Sequence, residues 1–328
     1  MAQIGTALEQ AAAYLSAGEL VGIPTETVYG LAGNALNLDA VTKIFTTKNR
    51  PSFDPLIVHT SDISKVEGFV QDFPRPLRLL AERFWPGPLT LLLPKKPIVP
   101  DLVTSGLDTV AVRIPRHELT LELLRQLPFP LAAPSANPFG YISPTKASHV
   151  NDQLGEKIPY ILDGGACDVG LESTIVGMLD GEVTVFRLGG LEVKKIESIV
   201  GKVQVMAHSS SNPQSPGMLK SHYAPTKPFI IGNLKELVQK YQKKQLPFAV
   251  LSFQEHFSDL DSGKQMQLSS RGSLEEAAKN LFAAMRTLDS LNVSVILSEY
   301  LPDEGLGKAI NDRLKRAAAE SMDGLEDS

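Results

Sequence analysis

Three basic residues crowd one predicted helix end in the segment KIFTTKNRPSFDPLIVH, residues 43–59. Lys43, Lys48 and Arg50 lie there, and Pro51 forces the chain out of the helix. Lysine offers a phosphate a point charge and arginine a bidentate pair of donors, so the segment predicts a triphosphate clamp. The alternative is a solvated basic helix end, because cations at a helix C-terminus are mildly favourable by themselves. His59 closes the following strand, where a lone histidine is more often structural than catalytic.

Arg113 lies in the middle of a predicted strand, TVAVRIPRH at residues 109–117, between Val112 and Ile114. Its apolar neighbours predict burial, and an unpaired interior charge is costly, so the guanidinium needs an anionic partner. A substrate carboxylate would supply that partner, and an internal Asp or Glu would do so equally well. Both alternatives stay open at the level of sequence.

Short polar and small residues follow several other predicted strands. In GIPTETVYGLAGNA, residues 22–35, the run Thr25, Glu26, Thr27 comes directly after a strand, although an ordinary turn with capping residues would look the same. In LAAPSANPFGYISPTKASHV, residues 131–150, small residues let a ligand approach the backbone closely; they include Pro134, Ser135, Asn137, Gly140 and Ser143. Downstream, LESTIVG brings Ser173 to the start of a strand, and VFRLGG carries Arg187. Because α/β sheets place ligands at strand ends, these segments together predict a cleft that binds a polyanion.

The common nucleotide and metal motifs are absent from the sequence. No GxxxxGK[ST] loop is present, and no GxGxxG follows a strand. The six histidines are scattered and there is no CxxC or HExxH motif, so the sequence predicts no zinc site. Any nucleotide site must therefore be built without the common loops.

The pattern of apolar residues predicts an α/β protein with two domains. Over residues 1–190 the predicted strands are 20–24, 55–59, 89–93, 109–114, 131–133, 161–163, 174–178 and 183–188, and the predicted helices are 6–17, 38–48, 76–84, 119–127 and 146–155. Several strands are close neighbours in sequence, which favours a twisted mixed sheet over a purely parallel one. After a Ser- and Pro-rich stretch, strands alternate with helices and predict a smaller parallel, Rossmann-like α/β domain. The predicted boundaries are 1–205 for the first domain, 206–228 for a linker, and 229–328 for the C-terminal domain.

The bulk composition predicts a soluble globular protein. The chain has 328 residues, 43% hydrophobic and 21% charged, and no apolar run approaches the roughly 18 residues that span a bilayer. The N-terminal segment has no basic leader and Cys167 is the single cysteine, so we expect no disulfide framework and a reducing, cytoplasmic compartment. A net charge of -5 argues against strong general binding to nucleic acid, while leaving room for a local basic pocket.

Six segments in fixed order carry a family resemblance. PTETVYGL, KIFTTKNRP with PLIVH, FWPGPLTLLL, VAVRIP, APSAN and LESTIVG resemble the YrdC-like family of threonylcarbamoyl-AMP synthases. SPGMLKSHYAP and the C-terminal α/β segment resemble the longer, two-domain members, so the resemblance covers essentially the whole chain. It implies a nucleotidyltransferase that joins L-threonine, bicarbonate and ATP into threonylcarbamoyl-AMP and releases pyrophosphate, with Mg²⁺ on the ATP. A downstream complex then transfers the threonylcarbamoyl group to the tRNA adenosine beside the anticodon, and tRNA itself is a possible partner. No membrane and no stable metal site are implied.

The resemblance also implies roles for individual residues. Around L-threonine it places Thr27, His59, Arg113, Ala133 and Ser173. Around ATP it places Arg50, Asp54, Thr109, Ser135, Ser143, Arg187 and Tyr223. The KxR and SxN motifs, which lie near the reacting phosphate and carbonate and are implied to be catalytic, correspond to Lys48, Arg50, Ser135 and Asn137.

The stretch SPGMLKSHYAP is predicted to fold back over the first domain as a lid, with Tyr223 reaching the nucleotide, because a labile carbamate needs water kept out. Two other functions are compatible with parts of the sequence. A non-catalytic RNA-binding module would use a basic cleft, although the net acidity and the 6% aromatic content argue against a stacking platform. A carbamoyl-phosphate-dependent enzyme that makes a carbamoyl adenylate would also contain a YrdC-like domain, but this chain lacks the additional zinc-binding cysteines of such enzymes.

Overall fold

The computed structural model describes residues 1–206, 215–216 and 222–319. They fall into two compact units. The first unit comprises Met1–Phe139, Ser143–Asp168 and Glu172–Leu219, and the second comprises Gly140–Ile142, Val169–Leu171 and Lys220–Ser328. Most of the predicted linker, residues 207–214 and 217–221, lies outside the described residues, so the linker, the lid and the domain boundaries stay predictions.

The described part of the first unit contains eleven strands that form one sheet. The strands are β1 Gln3–Gly5, β2 Val21–Ile23, β3 Gly30–Asn34, β4 Ile57–His59, β5 Leu89–Pro94, β6 Thr109–Arg113, β7 Leu131–Ala132, β8 Tyr160–Leu162, β9 Thr174–Leu179, β10 Glu182–Arg187 and β11 Gln204–Val205. Their order in the sheet is β1-β8-β2-β3-β7-β4-β6-β5-β9-β10-β11. The sheet contains parallel pairs such as β4 with β6 and antiparallel pairs such as β5 with β6, so the predicted mixed sheet is confirmed.

The helices of the first unit begin and end where caps and prolines allow. They are α1 Leu8–Ser16, α2 Leu38–Lys48, α3 Ile63–Val66, α4 Arg75–Phe84, α5 Asp101–Thr104, α6 Glu118–Gln126, α7 Ala147–Leu154 and α8 Val193–Val200. In α2, the Asn37 side chain accepts two backbone N–H groups at the start, and Asn49 ends the helix in the left-handed conformation. These two caps fix the position of Lys48 at the last helical residue.

The two faces of this sheet differ in what they carry. On one face, residues such as Val58, Leu91 and Val112 join the main hydrophobic core together with helix residues such as Leu77 and Leu80. The opposite face, which we call the second face, carries a smaller apolar cluster of Ile57, Leu92, Ala111, Ile175 and Phe186.

The described part of the second unit is a four-stranded sheet with three α-helices and one short 3-10 helix, Ser262–Lys264. The strands are β12 Phe229–Ile231, β13 Phe248–Ser252, β14 Gln265–Gln267 and β15 Val295–Ser298, and the helices are α9 Leu234–Lys243, α10 Leu274–Asp289 and α11 Gly307–Ala317. Every pair in the order β12-β15-β13-β14 is parallel. The predicted parallel α/β architecture of the C-terminal half is therefore confirmed. No helix of the described ranges in either unit is long and apolar enough to cross a membrane.

Candidate active site

Strand register brings three residues of the predicted threonine site onto the second face of the sheet. His59, the last residue of β4, pairs with Arg113, the last residue of β6. Ala133 follows β7 and donates its backbone N–H to the Ile57 carbonyl at 2.9 Å. Paired residues share a face and so does every second residue along a strand, so His59, Arg113 and Ala133 point to the same side.

Arg113 is held by three groups of the first unit. Its Nη1 donates to Thr27 Oγ1 at 2.8 Å, and its Nε donates to the Gly87 carbonyl at 3.3 Å. Its Nη2 lies 2.8 Å from a carboxylate oxygen of Glu26, and both side chains are almost fully buried. The sequence left open whether Arg113 pairs with a substrate carboxylate or with an internal one, and the structure shows that Glu26 is an internal partner. Two of the five N–H groups of the guanidinium donate hydrogen bonds and Nη2 forms the ion pair with Glu26, which leaves at least two N–H groups for a ligand carboxylate.

The Thr27 hydroxyl lies between Thr25 and Arg113. The Thr25 hydroxyl donates to the Val28 carbonyl at 2.6 Å and lies 2.8 Å from the Thr27 hydroxyl. The Thr27 hydroxyl accepts a hydrogen bond from Arg113. Thr25 also accepts the backbone N–H groups of Thr27 and Val28, and this turn after β2 holds Glu26 and Thr27 against Arg113.

His59 is a buried, neutral imidazole. It is 3% exposed, and its Nδ1 lies 3.2 Å from the Ile57 carbonyl. Burial, followed by the positive charge of Arg113, lowers the pKa of His59 to about 3. A neutral ring beside Arg113 suits it to hydrogen-bond an uncharged group such as a hydroxyl.

Ser173 and Arg187 form a second cluster at the same end of the sheet. Arg187 donates from Nη2 to the Ser173 carbonyl at 2.9 Å and to its hydroxyl at 3.1 Å. Thr90, one residue beyond the Leu91–Val112 pair of β5 and β6, lies 2.7 Å from the Ser173 hydroxyl. Thr90 therefore links this cluster to the end of β6 where Arg113 lies.

Gly189 allows the backbone at Glu172 and Ser173 to approach closely. A Cβ at position 189 would lie 2.3 Å from the Glu172 carbonyl oxygen, which no side chain tolerates. The predicted ATP residue Ser143 donates to Glu172 Oε1 at 2.6 Å, and both side chains are buried. The cluster, with Thr90, thus holds three hydroxyls, a guanidinium and a carboxylate.

Lys48 is buried among backbone carbonyls of the APSAN segment. Its Nζ donates to the Ser135 carbonyl at 2.5 Å and to the Asn137 carbonyl, and the residue is 1% exposed. Burial lowers the pKa of Lys48 well below its ordinary value, and the neighbouring charge of Arg50 lowers it further. The structure therefore brings Lys48, Ser135 and Asn137 together, and the catalytic role that the resemblance implies for them stays a prediction.

Arg50 and Asp54 form a buried salt bridge of 3.0 Å. Arg50 also donates to the carbonyls of Asp54 and Pro55, at 3.0 and 2.7 Å. Lys43 does not belong to this group, because it forms an exposed salt bridge with Glu19 at 2.8 Å. The solvated alternative thus applies to Lys43, whereas Lys48 and Arg50 are buried.

Two predicted ATP residues lie apart from the Arg113 end of the sheet. Thr109 is the first residue of β6 and Arg113 the last, a separation of about 13 Å at the usual rise per residue. Asp54 likewise precedes β4, whereas His59 ends it. The predicted ATP contacts of the first unit therefore spread along the strands, and a nucleotide that touches all of them must lie along β6.

Tyr223 belongs to the second unit. It is 1% exposed, stacks on Phe282 at 5.5 Å between ring centroids, and has the guanidiniums of Arg313 and Arg316 each 5.3 Å from its ring centre. Its backbone has a φ of 65°, which is uncommon for an aromatic residue. These contacts fix the ring within the second unit, and its predicted contact with ATP stays a prediction.

Glu26, Thr90 and Glu172 contact the predicted site residues, but sequence reasoning did not select them. A signal existed for Glu26, which stands in the polar run after β2 and is the kind of internal carboxylate that Arg113 required. Thr90 is the one polar residue in the strand LTLLLP, and Glu172 stands in LESTIVG beside Ser173. Only the fold shows that each is in contact with the site.

Family models match both halves of the chain. The model described as Telomere recombination (Sua5_yciO_yrdC) matches residues 13–189, and the model described as Threonylcarbamoyl-AMP synthase, C-terminal domain matches residues 191–319. The threonylcarbamoyl-AMP synthase of Bacillus subtilis is 43% identical over 95% of this chain and 92% of its own length. That of Pyrococcus abyssi is 40% identical over 94% of this chain and 93% of its own length.

A solved structure is similar over both units. The crystal structure of P. abyssi Sua5 complexed with L-threonine matches with a TM-score of 0.89 and 39% identity, over 96% of this chain and 94% of that one. The family models, the near full-length relatives and this structure agree with each other and with the motifs of the sequence. The chain belongs to the family of two-domain threonylcarbamoyl-AMP synthases.

Proposed function

We propose that this chain joins L-threonine, bicarbonate and the adenylyl group of ATP into threonylcarbamoyl-AMP and releases pyrophosphate. The observation that carries the proposal is Arg113, a buried guanidinium with two N–H groups left for a carboxylate, beside neutral His59 and the hydroxyl of Thr27. This set of groups fits the carboxylate and hydroxyl of threonine. The P. abyssi relative was crystallised with L-threonine, and its close similarity to this chain supports the same ligand here.

The proposed reaction needs positioned charge more than acid–base chemistry. The neutral threonine amine attacks the carbon of bicarbonate and water leaves, which gives a carbamate. A carbamate oxygen then attacks the α-phosphorus of ATP while pyrophosphate leaves. Charge develops on phosphate oxygens in such a transfer, and fixed cations in a dry site stabilise it. Lys48 and Arg50 are the cations proposed for this role, with Ser135 and Asn137 beside Lys48.

In this proposal ATP lies along β6 and contacts Arg50, Asp54, Thr109, Ser135, Ser143 and Arg187, whereas the contact of Tyr223 that the resemblance implies stays a prediction. The contact with Asp54 is through backbone atoms, because its side chain is engaged by Arg50. The proposed contact with Ser173 and Ala133 belongs to threonine, since both lie at strand ends near Arg113.

The ATP is expected to carry Mg²⁺, which usually binds through phosphates and one or two carboxylates. Glu172 fits as the carboxylate, because it is buried beside Ser143 and Ser173. The residues that the structure describes contain no group of three or more His, Cys, Asp or Glu side chains able to hold a metal, so phosphate oxygens and water would supply the remaining ligands. The ion would neutralise charge on the phosphates.

We also propose that the product serves a downstream complex that modifies the tRNA adenosine beside the anticodon, and that the enzyme works in the cytoplasm. The single buried cysteine, Cys167, is compatible with a reducing compartment. A non-catalytic RNA-binding module and a carbamoyl-phosphate-dependent enzyme are not preferred, since the curated relatives over the full chain are threonylcarbamoyl-AMP synthases.

Pyrophosphate release tests the proposal. The purified chain is incubated with ATP, Mg²⁺, bicarbonate and threonine, and each component is omitted in turn. We expect release only when all four are present, and a loss of about 100-fold or more in kcat/KM for Arg113→Met. Release that does not need threonine or bicarbonate, or release that needs carbamoyl phosphate instead, would overturn the proposal.

A further inference from the structure

Glu26 is the least satisfied buried charge of the first unit's site. It is 2% exposed, and among the described residues its charged contact is Arg113 Nη2 at 2.8 Å. The geometry of that contact is not that of a hydrogen bond, and neither carboxylate oxygen receives a hydrogen bond from any described residue. A carboxylate offers about four acceptor sites. Nearly all of this capacity is unused.

A purely structural salt bridge would be built differently. A buried ion pair offsets the cost of desolvation only when further hydrogen bonds satisfy the remaining lone pairs. The neighbouring Cys167 keeps its thiol proton, because burial, followed by the charge of Glu26, raises the pKa of the thiol to about 12, yet this weak donor makes no hydrogen bond to Glu26. The turn held by Thr25 nevertheless fixes Glu26 firmly in place. Such a carboxylate is suited to an external donor.

Glu26 and Arg113 together match an α-amino acid. In the zwitterion of an α-amino acid the ammonium and the carboxylate are attached to the same carbon. The protein groups that bind them must therefore be close neighbours, one an anion and the other a cation. Arg113 keeps two N–H groups for the carboxylate, and an ammonium would bring three donors to the empty acceptor sites of Glu26. The Glu26–Arg113 pair has no net charge, and the zwitterionic ligand has none either.

We propose that Glu26 binds the α-amino group of threonine and thereby positions the nitrogen that is to be carbamoylated. This inference rests on the proposed function. It adds the residue that distinguishes an α-amino acid from an α-hydroxy acid. Glu26 then contacts the reacting nitrogen of the substrate, whereas His59 and Thr27 contact other parts of the threonine.

Equilibrium binding of two ligands tests the role. L-Threonine is compared with 2,3-dihydroxybutanoate, which has a hydroxyl in place of the amino group, on wild type and on Glu26→Gln. We expect wild type to prefer threonine by about 100-fold, since a charged hydrogen-bonded pair is lost with the analogue. In Glu26→Gln we expect the preference to fall to about threefold, mainly through weaker binding of threonine.

The outcomes separate the two claims. If Glu26→Gln keeps the wild-type preference, or loses affinity for both ligands equally, the inference is overturned while the proposed function stands. If wild type does not bind threonine at all, the proposed function fails and the inference fails with it. If Glu26→Gln does not fold, the same binding comparison is made with Glu26→Asp, which keeps a carboxylate for Arg113 on a side chain one methylene shorter. In this variant we expect the preference for threonine over the analogue to fall about tenfold, and an unchanged preference would overturn the inference.

Discussion

We predict that acid destabilises this protein through His59 in particular. The ring is 3% exposed, and burial together with Arg113 lowers its pKa from the ordinary value of about 6.5 to about 3. The folded state therefore binds fewer protons at this ring than the unfolded state does. The stability that depends on the neutral ring is fully present above about pH 6.5 and is lost progressively as the pH falls toward 3.

The magnitude follows from the difference in pKa. One pKa unit corresponds to about 1.4 kcal/mol, and pH 5 lies about 1.5 units below the unfolded value. At pH 5 the folded ring is still neutral, so the loss relative to pH 8 is about 2 kcal/mol in the free energy of unfolding. Such a loss is a large share of the 5–15 kcal/mol that is typical of a folded domain.

Urea unfolding at pH 8 and pH 5 measures this contribution. We expect the stability of wild type to fall by about 2 kcal/mol more than that of His59→Gln, which has no ring to protonate. The matched control is His256→Gln, because His256 is exposed in the second unit. Its pH dependence is expected to equal that of wild type. Equal losses in wild type and His59→Gln would refute the assignment of a buried neutral imidazole.

Three further predictions concern other contacts. Lys48→Met keeps the apolar stem but removes the ammonium from the Ser135 and Asn137 carbonyls. We expect kcat/KM for pyrophosphate release to fall about 100-fold or more, and a variant with wild-type activity would exclude the proposed phosphate clamp. Arg187→Lys cannot reproduce the paired contacts to Ser173, so the KM for ATP is expected to rise about tenfold, and an unchanged KM would argue against that contact. Asp289→Ala leaves donors from Tyr141 and Thr226 without their acceptor, and urea unfolding is expected to show a loss of about 2–3 kcal/mol; a loss under about 0.5 kcal/mol would contradict that role.

Elements with strong local signals were predictable from the sequence. The helix predicted for residues 38–48 is α2, Leu38–Lys48, because its apolar period and its asparagine caps agree. The strand predicted for residues 89–93 is β5, Leu89–Pro94, since a short run of leucines bounded by prolines has few alternatives. Helix α2 ends at the predicted site residue Lys48, and β5 contains Thr90, which contacts Ser173.

Elements without a local signal were missed. In β3, Gly30–Asn34, two glycines dilute the apolar pattern, and the segment becomes a strand only because β2 and β7 pair with it on either side. The terminal strand β1, Gln3–Gly5, forms through β8, which lies more than 150 residues away in the chain. Long-range pairing of this kind is not visible in a sequence window.

The site shows the same division. The sequence singled out Lys48 and Arg50 as basic residues at a helix end, and Arg113 as a cation within an apolar strand. All three are buried in the structure, and their roles toward a ligand stay predictions. The sequence could not show whether the partner of Arg113 is a substrate or an internal carboxylate, because the answer depends on where Glu26 lies in three dimensions. The structure shows that Glu26 is in place and that donors on Arg113 still remain for a ligand.

A crystal structure of this chain with L-threonine and a non-hydrolysable ATP analogue tests the central claim most directly. We predict that the threonine carboxylate lies within about 2.7–3.2 Å of Arg113 nitrogens, and that phosphate oxygens of the analogue contact Lys48 and Arg50. Threonine bound away from Arg113, or phosphates bound away from both cations, would contradict the account.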